Sequence, residues 1–189
     1  MDEAQLRRTV DESLSLKRRF FEASAPLILE VGRRIAASLQ GGGRLLAFGN
    51  GGSAADAQHF AAELSGRFQR ERAALSALAL TTDPSVITAL GNDYGFEHVF
   101  RRQVEAHGRA GDIAFGISTS GRSKNVIEAL RGARTRGLVT MGLSGRGGAM
   151  GELCDVLIAV PHDNTQRIQE VHGMVVHLLA EIVEDTVLG

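Results

Sequence analysis

The sequence predicts an α/β fold, a three-layer sandwich in which a five-stranded parallel sheet is flanked by helices, with N-terminal helices before it and a long C-terminal helix after it. Three observations carry that expectation. Five short apolar runs, RLLAF (44–48), SALAL (76–80), DIAFGI (112–117), LVTMGL (138–143) and DVLIAV (155–160), lack the polar alternation of a half-exposed strand. Strands of that kind are buried on both faces, the condition of a parallel sheet covered by helices. Helix-length segments separate the runs, and glycines gather at the run ends, where strand must turn into helix. At 189 residues the chain suits one domain, without repeat or low-complexity segments.

Residues 2–23 read as an amphipathic helix with Leu6, Val10, Leu14 and Phe21 near one face. Ser24 reads as an N-cap and Pro26 as a first-turn residue of a second helix that stops at Gly41-Gly42-Gly43. Within the α/β core, residues 44–189, the GNGGS turn launches a helix from about Ala54 to Phe68. Asp83 and Pro84 start the next helix, and another follows Gly95. STSGRS opens a helix to about Arg136, and PHDNT leads into a terminal helix from about Gln166 to Val187. That last helix carries Ile168, Val171, Val175, Val176, Leu179, Ile182 and Val183 around much of its girth. One sheet face cannot cover so wide an apolar surface, so burial in a subunit interface is expected, with the N-terminal residues 1–40 as a second packing element.

Composition narrows the function. A formal net charge of −1 gives no footprint for nucleic acid, and Lys17-Arg18-Arg19 fits a solvated helix face. Aromatics are scarce and Trp is absent, which weakens readings based on stacking of bases or sugars. The lone cysteine, Cys154, cannot form an internal disulfide, fits a reducing compartment and reads as a buried structural thiol. The N-terminus MDEAQLRRTV lacks an apolar signal core, and no run is long enough to span a membrane. A soluble cytoplasmic protein, with neither nucleic acid nor membrane as partner, is the expectation.

Ligands of open parallel sheets collect beyond the C-terminal strand ends. Two loops there suit an anion. Asn50-Gly51-Gly52-Ser53 lets the backbone approach closely at a helix start, where free N–H groups and the helix dipole favour negative charge. Ser118, Thr119, Ser120 and Ser123 place four hydroxyls within six positions at another helix start. Either loop alone is equally well an ordinary strand-to-helix turn; together they favour a phosphate site. Gly49, Gly51 and Ala54 also satisfy a relaxed dinucleotide fingerprint. That reading is weaker, because Asp83 lies too far along the chain and reads as a helix cap rather than a ribose clamp.

His59 and Glu63, spaced i, i+4, project from one side of the helix that begins at the glycine turn. Such a pair can share a divalent metal or act as base and partner; spacing alone fits a surface ion pair, and nearness to the phosphate turn favours chemistry. The terminal helix adds Gln169, His172 and His177 among aliphatic residues. Eight residues of helix span about 12 Å, so Gln169 and His177 meet one ligand only by reaching toward each other or by serving sites of different subunits. Gly91-Asn92-Asp93-Tyr94-Gly95 reads as a turn, and as a plain connector unless Asn92 and Asp93 bind hydroxyls. Arg67 suits helix-dipole stabilisation and a substrate contact equally.

The stretches FGNGGSAADAQHFAAELSGRF, GNDYGF, GDIAFGISTSGRSKNVIEA and PHDNTQRIQEVH followed by VVH resemble the phosphoheptose isomerases (sedoheptulose 7-phosphate isomerases) of the sugar isomerase (SIS) domain superfamily. The resemblance implies isomerisation of D-sedoheptulose 7-phosphate to D-glycero-D-manno-heptose 7-phosphate, supplying ADP- or GDP-heptose precursors such as those of lipopolysaccharide. It implies a homotetramer with active sites at subunit boundaries and one Zn²⁺ per subunit. Glu63 and His177 match the family's acid–base residues, and His59, Glu63, Gln169 and His177 its zinc set. Asn50, Gly51, Gly52, Ser53, Asn92, Asp93, Ser118, Thr119, Ser120, Ser123 and Gln169 match its substrate contacts, and His172 is left with a structural part. A zinc-bound carboxylate is a poorer base, so either Glu63 loosens from the metal during turnover or the metal is chiefly structural. The DnaA initiator-associating proteins are similar in fold and motif order but act as non-catalytic adaptors. They depart from the isomerase pattern at the positions of Glu63 and His177, which this chain keeps. A further alternative is an isomerase of another sugar phosphate.

Overall fold

A computed structural model describes all residues, Met1–Gly189. The five apolar runs form β1 (Leu45–Gly49), β2 (Ala77–Ala79), β3 (Ile113–Ser118), β4 (Val139–Ser144) and β5 (Val156–Ala159), and every pairing is parallel. The spatial order is β2-β1-β3-β4-β5. Chain direction across the sheet therefore reverses between β1 and β3, the switch point at which ligand loops diverge.

Alternation along each strand divides the core into two layers. Leu45, Ala47, Ile113, Phe115, Met141 and Leu143 face α1 (Glu3–Gln40), α2 (Gly52–Ser65) and α6 (Thr165–Leu188). Leu46, Phe48 and Ala114 face the other way, against α4 (Val99–His107) and α5 (Lys124–Thr135). On that second side α3 (Pro84–Tyr94) buries none of its residues. None of the helices is long and apolar enough to cross a membrane.

The N-terminal region differs from expectation. Instead of two helices broken at Ser24, α1 runs unbroken for 38 residues with Pro26 inside it. A proline in a helix interior forfeits one backbone hydrogen bond and costs about 3 kcal/mol. Tertiary packing offsets that cost: Phe20, Ile28, Val31 and Ile35 are buried against the α6 side of the core. At Gly32 a β-carbon would stand 2.6 Å from Ile182 Cγ2, so glycine lets α1 and α6 approach closely. The helix starts at a capping box, with Gln5 N–H donating to Asp2 Oδ1 at 2.7 Å and Asp2 N–H donating to Gln5 Oε1 at 2.8 Å.

The segment Gly91-Asn92-Asp93-Tyr94 is a second correction. It is the last turn of α3, not a connector turn, and the helix ends at Gly95, whose φ of 90° suits glycine. Asp83 caps the start of α3 as expected, accepting from Val86 N–H at 2.9 Å.

Candidate active site at the β1–β3 switch point

The loop after β1 enters α2 through Gly51, whose φ is 56°. Asn50 is fastened across the switch point by a reciprocal amide pair: its Nδ2 donates to Asn125 Oδ1 at 2.9 Å, and Asn125 Nδ2 donates back to Asn50 Oδ1 at 2.8 Å. Asn125 lies in the first turn of α5, so this pair links the two helix starts that point at the site. Ser53 is buried in the first turn of α2.

The hydroxyls expected to hold phosphate gather beyond β3. Ser118 Oγ lies 2.9 Å from Ser123 Oγ and 3.4 Å from Ser120 Oγ, while Arg122 N–H donates to Ser120 Oγ at 3.2 Å. Ser123 is the N-cap of α5, yet its side chain caps no backbone amide. The helix start therefore keeps N–H donors for an anion. Thr119 and Ser120 also line a cleft of about 220 Å³ with Arg122, Arg146 and His162. Within it Arg146 is held by Asp163 through contacts of 2.5 and 2.8 Å.

Along α2 and α6 the remaining site residues fall at two levels. At the first, the Gln169 amide packs on Gly52, where a β-carbon would meet Gln169 Nε2 at 2.3 Å. Two turns further along both helices, His59, Glu63 and His177 come together. His59 Nε2 lies 3.0 Å from Glu63 Oε1 and 3.1 Å from His177 Nε2. One ligand atom from each of the three residues lies within 4.8 Å of the others. Two imidazoles and a carboxylate with room for a further ligand are the donor set of catalytic zinc sites. Gln169 stands apart from these donors, because about 10 Å of helix separates Gly52 from His59. Asn92 and Asp93 are exposed on α3, where Asn92 Nδ2 donates to Asp93 Oδ1 at 2.8 Å.

His172 keeps the structural part expected of it. His172 is fully buried, and its Nε2 lies 3.1 Å from the Ser144 carbonyl, which makes it a structural donor. Burial lowers its pKa to about 4, against a smaller opposing effect of the Ser144 contact. Burial pushes the Cys154 thiol up to about 12, with Asp155 adding to the shift and Arg134 opposing it, so the group stays a thiol at neutral pH. Arg67 is exposed and reaches only Glu71, at 3.9 Å. The carbonyls ending α2 are instead served by Arg72, which donates to Glu63 O at 2.7 Å and Leu64 O at 2.9 Å.

Sequence reasoning missed Arg72, Asn125, Glu184 and Asp56. Glu184 is a buried acid on α6, but with Glu181 and Asp185 close by in the chain it carries no distinct sequence signal. Asp56 lies one turn before His59, and its Oδ2 is buried without a partner. Burial raises the Asp56 pKa and His59 opposes the shift.

The SIS domain family model matches residues 10–145. A phosphoheptose isomerase of Roseiflexus sp. (strain RS-1) is 53% identical over 178 residues, covering 94% of this chain and 90% of that one. Phosphoheptose isomerase GmhA from Neisseria gonorrhoeae superposes with a TM-score of 0.92 at 44% identity, covering 97% of this chain and 98% of that one. A phosphoheptose isomerase from Francisella tularensis gives 0.94 at 36% identity, with 98% and 100% covered. The chain belongs to the phosphoheptose isomerase family of SIS-domain proteins.

Proposed function

We propose that the chain isomerises D-sedoheptulose 7-phosphate to D-glycero-D-manno-heptose 7-phosphate. The observation that carries this reading is the meeting of Glu63 and His177 with His59 across two helices, in a chain that also carries a hydroxyl-lined helix start. Ser118, Thr119, Ser120 and Ser123 hold the phosphate with the free amides of α5. Asn50, Gly51, Gly52, Ser53 and Gln169 line the sugar between the two ends, and Asn92 and Asp93 join from the end of α3. Binding energy at the phosphate is thereby converted into alignment at C1 and C2.

Glu63 takes a proton from C1 of the ketose, leaving an enediolate. His177 carries a proton from the C1 oxygen to the C2 oxygen, and Glu63 returns its proton to C2, giving the aldose. His59, Glu63 and His177 would hold a Zn²⁺ ion, with Gln169 the expected fourth ligand, although its amide rests at Gly52 in the single chain. Bound there, zinc would polarise the substrate oxygens and offset the enediolate charge.

We also read the protein as a cytoplasmic homotetramer. Leu6, Val10 and Leu14 are 53%, 48% and 58% exposed along α1, and Leu29 and Met174 add apolar surface that a second copy would cover.

The test is a direct assay on sedoheptulose 7-phosphate, with and without chelator. Turnover that chelation abolishes and zinc restores is expected. Tight binding to a replication initiator without turnover would establish the adaptor reading instead, and turnover of a shorter sugar phosphate in preference to the heptulose would reassign the substrate.

A further inference from the structure

We propose that Phe68, Arg72 and Glu184 form a clamp that positions His177 for the proton transfer, with Phe68 as the contact residue; this rests on reading His177 and Glu63 as the reacting pair. The segment between α2 and β2 has no ladder of its own, so its backbone amides need partners. Three consecutive ones share a single carboxylate: Phe68, Gln69 and Arg70 N–H donate to Glu184 at 3.1, 2.9 and 2.8 Å. Glu184 is 2% exposed. Burial pushes its carboxyl up, but the three amides and Arg72 outweigh it and hold the group below its ordinary range, so the acid is ionised.

Arg72 completes the clamp. Its side chain is 1% exposed and its Nε lies 3.4 Å from Glu184 Oε1, an ion pair rather than an aligned hydrogen bond. The same guanidinium donates to the carbonyl of Glu63 itself at 2.7 Å, and to Leu64, Gly66 and Ala73. One buried pair thus fastens the last turn of α2 and the following loop to α6. Glu184 stands seven residues after His177, two helical turns on and on the same face.

The loop so fixed delivers Phe68 to His177. Their ring centroids are 5.8 Å apart with planes tilted by 35°, while the His59 ring meets His177 edge-on at 4.7 Å and 88°. His177 is otherwise exposed, and an exposed imidazole on a helix samples several rotamers. Packing between His59 and Phe68 selects the rotamer that keeps the two Nε2 atoms 3.1 Å apart.

Phe68→Ala, Phe68→Tyr and Glu184→Gln in the full-length protein test the clamp. Phe68→Ala is expected to lower kcat about tenfold or more with KM within about twofold, and to raise the Zn²⁺ dissociation constant about tenfold, as loss of a supporting partner does. The visible absorption of bound Co²⁺ should change, and Phe68→Tyr should restore all three. Should Phe68→Ala fail to fold, Glu184→Gln is expected to give the same kcat, Zn²⁺ and Co²⁺ changes. Folded variants with wild-type kcat, Zn²⁺ affinity and Co²⁺ spectrum would overturn the clamp, as would a loss in Phe68→Ala that tyrosine does not repair. If the wild-type protein fails to turn over sedoheptulose 7-phosphate, the functional reading falls by itself, and the Zn²⁺ and Co²⁺ measurements still decide the clamp.

Discussion

His177 Nε2 lies 3.1 Å from His59 Nε2 across 118 residues of chain, and His59 Nε2 lies 3.0 Å from Glu63 Oε1. The central imidazole thus joins the carboxylate proposed as base on α2 to the imidazole proposed as proton carrier on α6. Such close nitrogens share either a proton or a cation, and a cation draws in the carboxylate as well. Chelation should therefore remove activity without unfolding the protein, since the two buried layers do not depend on the cluster. Turnover and far-UV circular dichroism measured together check this. Loss of the circular dichroism signal on chelation would make the metal a folding element.

Glu63→Gln keeps the shape of the side chain and removes the carboxylate proposed as carbon base. General acid–base groups contribute about 10²–10⁴ in rate, so turnover should fall by at least that lower figure while affinity for a phosphorylated sugar stays near normal. Solvent-deuterium incorporation at C1, followed by NMR, isolates the proton-abstraction step. Near-normal exchange in the variant would take Glu63 out of the mechanism.

The serine loop should act on binding. Ser123 Oγ is committed to Ser118 at 2.9 Å and caps no amide, so removing it loosens the cradle without disturbing the helix start. Ser120→Ala and Ser123→Ala should each raise KM by about tenfold to a hundredfold, as expected for one hydrogen bond to a charged group. Kinetics on sedoheptulose 7-phosphate provide the measurement, and unchanged Michaelis constants would place the phosphate elsewhere.

Acid stability follows from His172. Burial lowers its pKa from 6.5 to about 4. The ring is neutral when folded, so between those values the unfolded chain binds the extra proton and stability falls as pH falls. The loss from this group reaches about 3 kcal/mol below the folded value. Glu184, held below its ordinary range, adds a loss of the same sign at lower pH still. Urea unfolding across the window, on wild type and His172→Gln, should show a shallower slope in the variant. Equal slopes would assign the acid sensitivity to other groups.

The architecture was legible because it is written in local patterns. Unalternating apolar runs marked all five strands to within about a residue or two, and Asp83-Pro84 marked a helix start that the structure keeps. The misreadings arose where distant packing overrides local chemistry. Ser24 and Pro26 form a sound helix start in isolation, but the α6 surface holds α1 straight through them. Gly91 reads as a turn residue, but the helix stops only at Gly95. The cluster of His59, Glu63 and His177 was legible as a pair and a separate histidine, whereas their distance apart is a tertiary fact. Arg72 and Glu184 left little trace, since charged residues are common and burial by folding alone makes them informative.

Gly52 separates fold from function most cleanly. It is the first residue of α2, and the three atoms nearest a β-carbon there all belong to the Gln169 side chain, with Nε2 at 2.3 Å. A flexible amide can swing away at small cost, and alanine suits a helix better than glycine, so Gly52→Ala should change stability by less than about 1 kcal/mol. On the proposed substrate path, the displaced amide would leave its place beside the sugar and the new methyl would narrow the way between phosphate cradle and reacting end. KM should rise and kcat fall together, while Zn²⁺ affinity drops only if Gln169 ligates the ion in the assembled protein. Equilibrium unfolding, steady-state kinetics and Zn²⁺ titration on this one variant distinguish these outcomes. A stable Gly52→Ala protein with unaltered kinetics would mean that neither the turn nor Gln169 touches the substrate.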